Sequence, residues 1–100
     1  MEARLRQALE RAEQVSRELS DPAIASDPAR LKSLGREHAR LTPIVRVAER
    51  LARAEQSLAE AIELRDSGDP DLVALGAEDL ATLPGESAAM QQELTELLPP

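Results

Sequence analysis

Not one of the 100 residues is Phe, Trp or Tyr, and that absence leaves only slender material for a core. Seventeen Ala and sixteen Leu supply most of the apolar content. Only four Val, three Ile and three Thr are present, so a sheet would lack the β-branched and aromatic side chains it favours. Ala, Leu, Glu, Arg and Gln are strong helix formers instead. The fold class is all-α. A buried Leu or Ile contributes roughly 1.5–3 kcal/mol and an Ala less, while small side chains let helix axes approach closely. The expected architecture is a slim helical bundle or long helical hairpin of three main helices with a narrow seam. A chain of this length suits a single domain, residues 1–100, and falls short of two independent cores.

The first helix is expected from Glu2 to about Leu19, because Leu5, Leu9, Ala12, Val15 and Leu19 recur at helical spacing. It stops at Ser20-Asp21-Pro22, since a proline pushes the preceding residue out of the α region, and 22–26 reads as a connector. Asp27-Pro28 starts the second helix, with Asp accepting first-turn amide bonds and Pro suited to the first position. Its apolar stripe is Leu31, Leu34, Leu41, Ile44, Val45, Ala48, Leu51, Leu58 and Ile62. Pro43 falls within it and removes a backbone donor; the stripe keeps its phase, which favours a kink over a break. Gly68 suits the helix C-terminus. Asp69-Pro70 then repeats the start signal, followed by Leu72, Leu75, Leu80, Leu83, Met90, Leu94 and Leu97. Pro84-Gly85 is costly inside a helix, roughly 3 and 1 kcal/mol for the two residues. The third helix is therefore expected to be kinked or broken there, into about 71–83 and 86–98.

Chemistry is hard to place on this chain. His38 is the single histidine and there is no cysteine, whereas a metal site needs three or four such ligands. No Ser lies in a Gly-x-Ser-x-Gly elbow, the four glycines form no phosphate-cradling loop, and the pairs Glu60/Glu63 and Glu93/Glu96 have the spacing of a solvated helix face. No catalytic residue, metal site or cofactor is expected, and the protein is read as not an enzyme. The first residues carry no signal peptide, and no window approaches the ~20 apolar residues of a membrane span. A soluble, cytoplasmic, monomeric chain without a membrane partner is the expectation.

Charge is the informative feature. All 12 basic residues lie at or before Arg65, while the segment from Asp66 onward holds eight acidic residues and no basic one. Between Pro28 and Arg53 seven basic residues face two acidic ones. On a wheel of about 100° per residue, Lys32, Arg36, Arg40, Arg46, Arg50 and Arg53 fall within an arc of roughly 140°, opposite Leu34, Leu41, Ile44, Val45, Ala48 and Leu51. Two readings of this stripe stand side by side. It is a solvated face partly neutralised by the acidic third segment, or a contact for phosphates or an acidic protein surface. In a protein of net charge -7, free high-affinity nucleic-acid binding is disfavoured. Delivery to RNA by other parts of a larger molecule suits the stripe better.

Residues 19–45 carry a family resemblance. Leu19-Ser20-Asp21-Pro22, Ile24, Ser26-Asp27-Pro28, Leu34, Glu37, Ala39, Leu41 and Pro43-Ile44-Val45 resemble the N-terminal helical domain of the bacterial peptide chain release factor 1 family, of the class I release factors. The resemblance extends over essentially the whole chain, and Leu97-Leu98-Pro99 matches the family's passage into its stop-codon-reading domain. The sister type 2 factors usually carry Trp at the position of Ala25 and lack the Pro-Ile-Val, so the type 1 family is preferred. The resemblance implies a role in translation termination: the full factor reads UAA or UAG in the ribosomal A site and triggers peptidyl-tRNA hydrolysis. The codon-reading tripeptide and the Gly-Gly-Gln motif lie outside these residues. The corresponding domain lies toward the large-subunit stalk base, near ribosomal protein L11 and its rRNA, and the basic stripe is the candidate for that contact. Two departures stand out, Pro84-Gly85 in a usually unbroken helical run and His38 in a commonly aromatic position. The rival function is a free-standing coiled-coil adaptor that binds partner helices through its Leu/Ala seam.

Overall fold

A computed structural model describes residues 1–100, and all of its regular structure is helical: α1 (Glu2–Leu19), α2 (Pro22–Ala25), α3 (Pro28–Arg65) and α4 (Pro70–Leu97). The three Asp-Pro steps each begin a helix. Asp21 accepts a hydrogen bond from the Ala23 amide at 3.0 Å, Asp27 from Arg30 at 3.2 Å and Asp69 from Asp71 at 2.9 Å. In each case the carboxylate satisfies a first-turn amide that has no intrahelical acceptor. The segment after Asp21, expected as a connector, is therefore a single helical turn. α3 ends at Arg65, and the turn that follows passes through Gly68, whose φ of 77° lies in the left-handed region that costs glycine nothing.

Both long helices run through their internal prolines. In α3 the buried positions keep their course across Pro43, with Leu41, Ile44 and Val47 at 2%, 0% and 4% exposure. Of the two outcomes expected at Pro84-Gly85, a kink or a break, the break does not occur, because residues 70–97 form one helix with Pro84 inside it. A proline forfeits one amide bond and crowds one carbonyl. Gly76 before the proline and Ser87 and Leu94 beyond it are buried and stand 11 and 7 residues apart, close to whole turns of one helix.

The chain divides into two compact units, one of residues 1–47 and 94–100, the other of residues 48–93. In the first, Val15 of α1, Leu34, Leu41, Ile44 and Val47 of α3, and Leu94 and Leu98 at the chain's end form the core. Its terminal segments are tied by polar contacts as well. The Arg4 guanidinium donates to the Pro99 carbonyl at 2.9 Å and the Thr95 hydroxyl to the Met1 sulfur at 3.1 Å.

The second unit is an antiparallel hairpin of the later part of α3 and most of α4. Its direction follows from two contacts, Gly76 against Ala61 and Leu64 near the turn and Arg50 facing Glu93 at 4.0 Å at the other end. Its buried residues are Leu51, Ala54, Ala61, Gly76 and Ser87, so all but one are small. A Cβ added at Gly76 would stand 3.2 Å from the Leu64 Cβ and 3.3 Å from the Ala61 carbonyl oxygen. That is the close approach expected of an Ala-rich seam. It leaves several larger side chains outside: Ile62, Leu72, Val73 and Leu75 are 37%, 38%, 36% and 73% exposed.

This seam yields a pair of opposed expectations. Gly76→Leu should destabilise the protein by about 1–3 kcal/mol through overpacking. Ser87→Ala should stabilise it by about 1 kcal/mol, because the Ser87 hydroxyl is buried without a hydrogen-bond partner and such a group carries an uncompensated desolvation cost. Urea denaturation followed by circular dichroism measures both. A Gly76→Leu protein as stable as the parent would show that the helices do not approach so closely.

Candidate functional site

The six basic residues of the stripe all lie on α3 and all are exposed. Lys32, Arg36, Arg40 and Arg46 belong to the first unit, Arg50 and Arg53 to the second. Their surroundings differ. Arg50 faces Glu93 at 4.0 Å, which is the neutralisation by acidic residues of α4 that the sequence allowed. Arg40 lies close enough to Glu37 to help hold its carboxyl in the charged form. Lys32, Arg36, Arg46 and Arg53 have no carboxylate within ion-pair distance, so they are the cations most available to an external anion.

Behind the stripe sits an ion-pair network that sequence reasoning missed. Arg11 of α1 grips Glu37 of α3 with two parallel hydrogen bonds of 2.6 Å, from Nε to Oε2 and from Nη2 to Oε1. The planar fork of a guanidinium matches a carboxylate in this way, adding direction to charge. Arg30 donates to Glu18 at 3.1 Å, and Arg11 Nη2 stands 4.0 Å from Glu18 Oε2. Glu37, one of the two acidic residues in the basic stretch, is thus consumed by α1 and does not discharge the stripe alone. No local signal marks a pair 26 residues apart, since periodicity reports faces and not partners.

No group of three or more His, Asp or Glu side chains converges to hold a metal ion. His38 is exposed on α3, and its carbonyl accepts a hydrogen bond from the Thr42 hydroxyl at 2.7 Å. A shallow open groove on α1, floored by Leu5 and Leu9 and edged by Glu2, Arg6, Glu10 and Glu13, contains no nucleophile or histidine. No helix is long and apolar enough to cross a membrane.

The Arg11–Glu37 pair makes stability depend on pH with a definite sign. The Glu37 carboxyl is held below its ordinary value of 4.5, first by the Arg11 hydrogen bonds, which outweigh desolvation, and further by the charges of Arg11 and Arg40. A depressed folded-state value means that this contribution is fully present above the unfolded value and is lost as pH falls through the folded one. Glu37→Gln is expected to lower stability at neutral pH and to flatten the loss of stability below about pH 4.5. Denaturant titrations from pH 7 to pH 3 read this out, and parallel curves for parent and variant would contradict it.

Comparison with known proteins places the chain. The PCRF domain family matches residues 8–100. A peptide chain release factor 1 from Methylibium petroleiphilum is 38% identical over 82 residues, covering 82% of this chain and 22% of that protein. The peptide chain release factor 1 of Chlamydia trachomatis serovars is 36% identical over 103 aligned positions, covering all of this chain and 28% of theirs. The chain thus spans about a quarter of the length of the curated relatives it matches. No solved structure matches it significantly. The resemblance carried by residues 19–45 is therefore borne out along nearly the whole chain, which belongs to the PCRF domain family.

Proposed function

We propose that this chain is the N-terminal, non-catalytic domain of a translation termination factor. The observation that carries the reading is the match of residues 8–100 to the PCRF domain family, together with relatives named peptide chain release factor 1. The full factor reads UAA or UAG and triggers peptidyl-tRNA hydrolysis with parts of the protein beyond these residues. This domain contributes contact. It works as a monomer in the cytoplasm, docking at the large-subunit stalk base on ribosomal protein L11 and its rRNA. Within the stripe, Lys32, Arg36, Arg46 and Arg53 are the best phosphate partners, being exposed and unpaired. Arg50 serves less well, because Glu93 competes for it. The rival reading, an adaptor that lends its Leu/Ala seam to foreign helices, is disfavoured because Leu41, Ile44 and Leu94 are already consumed inside the chain.

Two measurements test this. Sequencing the source gene past Pro100 is expected to show an in-frame continuation that includes Gly-Gly-Gln; a stop codon directly after Pro100 would overturn the domain assignment. In the full factor, Arg36→Glu combined with Arg46→Glu should weaken ribosome association several-fold. It should also flatten the dependence on salt, by roughly 0.7–0.9 in log–log slope for each phosphate no longer neutralised. Release at saturating factor should remain unchanged. An unaltered affinity and salt slope would remove the stripe from the ribosome-binding surface while leaving the family assignment standing.

A further inference from the structure

The second unit carries a different surface. Its 46 residues, 48–93, hold eleven acidic and three basic residues, a formal charge of -8, whereas the first unit balances nine basic against eight acidic for +1. Near the turn of the hairpin the acidic excess meets exposed apolar side chains. Leu75 is 73% exposed and Leu72 38%, and their spacing of three puts them on one face of α4. Leu64 of α3, half-buried, abuts Gly76 and extends that apolar strip onto the neighbouring helix. Asp71, Glu78 and Asp79 stand four before, three after and four after Leu75, all exposed, so they share its face. The nearby cation, Arg65, is tied to Asp66 by a 2.9 Å hydrogen bond.

We propose that this face docks a basic amphipathic helix of a partner protein, with the partner's apolar stripe on Leu64, Leu72 and Leu75 and its lysine or arginine side chains over Asp71, Glu78 and Asp79. Exposed apolar side chains framed by charge mark interaction surfaces, and complementary charge selects the partner and steers its approach. The sign of the charge decides the occupant. Nucleic acid and anionic lipid are repelled by an acidic rim. A second copy of the chain offers its stripe of cations on α3 only opposite Leu34, Leu41 and Ile44, which are already buried, so it has no free apolar stripe beside them to set on the leucines. A basic protein helix satisfies both the leucines and the carboxylates, in the helix-on-groove manner that reads apolar anchors at intervals of three and four. This inference is independent of the termination reading, because it concerns residues outside the available part of the basic stripe and names its own ligand.

The test uses the intact 100-residue chain and a lysine-rich peptide helix with leucines on one face. Two controls are a scrambled peptide of identical composition and a version with Glu in place of Lys. Chemical-shift titration should place the leucine-striped basic peptide at residues 62–79, at least tenfold tighter than the scrambled one, with no binding of the acidic one. Leu75→Ser should weaken binding at least fivefold without altering the fold, since that side chain is largely exposed. Glu78→Gln with Asp79→Asn should reduce its salt dependence. Equal affinity for the scrambled peptide, an unaffected Leu75→Ser variant, shifts confined to other residues, or no binding of the striped peptide would each overturn the proposal.

Discussion

The structure depends on a seam that must be narrow because no side chain in it is large and flat. Without aromatics, burial has to come from many small increments, and the helices respond by approaching closely where Ala and Gly allow it. The second unit shows the consequence most clearly, with Ala54, Ala61, Gly76 and Ser87 buried along the α3–α4 contact. A seam built from such residues has no room for Leu72, Val73 or Leu75, which are displaced to the surface. Exposed leucines there are thus a geometric result of close packing, and they become available for contact.

Because apolar burial is thin, polar geometry carries an unusual share of the specificity. Each Asp-Pro step fixes where a helix begins by satisfying a first-turn amide. The Arg11–Glu37 fork then fixes which part of α3 meets α1. An exposed ion pair adds little free energy as a rule. A two-pronged one between residues 26 apart is satisfied only when α1 and α3 are in register, so it discriminates against slipped packings of otherwise similar Leu/Ala faces.

The division of charge gives the two units different prospects as contact surfaces. Nearly balanced overall, the first unit presents its cations along α3, where Lys32, Arg36 and Arg46 are unopposed. The second unit is strongly acidic, and its arginines on the hairpin include Arg50 and Arg65, each facing a carboxylate. Within this domain of the PCRF family the two units thus present surfaces of different charge.

The all-helical class, the starts at Asp27 and Asp69 and the turn at Gly68 after α3 were legible in the sequence, because propensity and capping are local properties of a few neighbouring residues. The family, too, could be read from residues 19–45. The core was only partly legible. A wheel of fixed 100° steps selects Leu31, Val45, Ala48 and Ile62 for the seam, yet Leu31 and Ile62 are exposed while Val47 and Ala54 are buried. The buried positions of α3 stand three or seven residues apart within each unit, at 34, 41, 44 and 47 and at 51, 54 and 61, spacings that fall short of whole turns of a 3.6-residue helix. The seam therefore drifts around α3 as it follows its neighbours, which no single-helix wheel contains. In α4 local cost forecast a kink or a break at Pro84-Gly85, and the helix runs on through it, with buried positions on both sides. Local chemistry thus determined which segments are helices, where most of them start and where the charges lie along the chain. Only tertiary packing decided which side chains are buried and which charges are paired, because both depend on contacts between residues far apart in sequence.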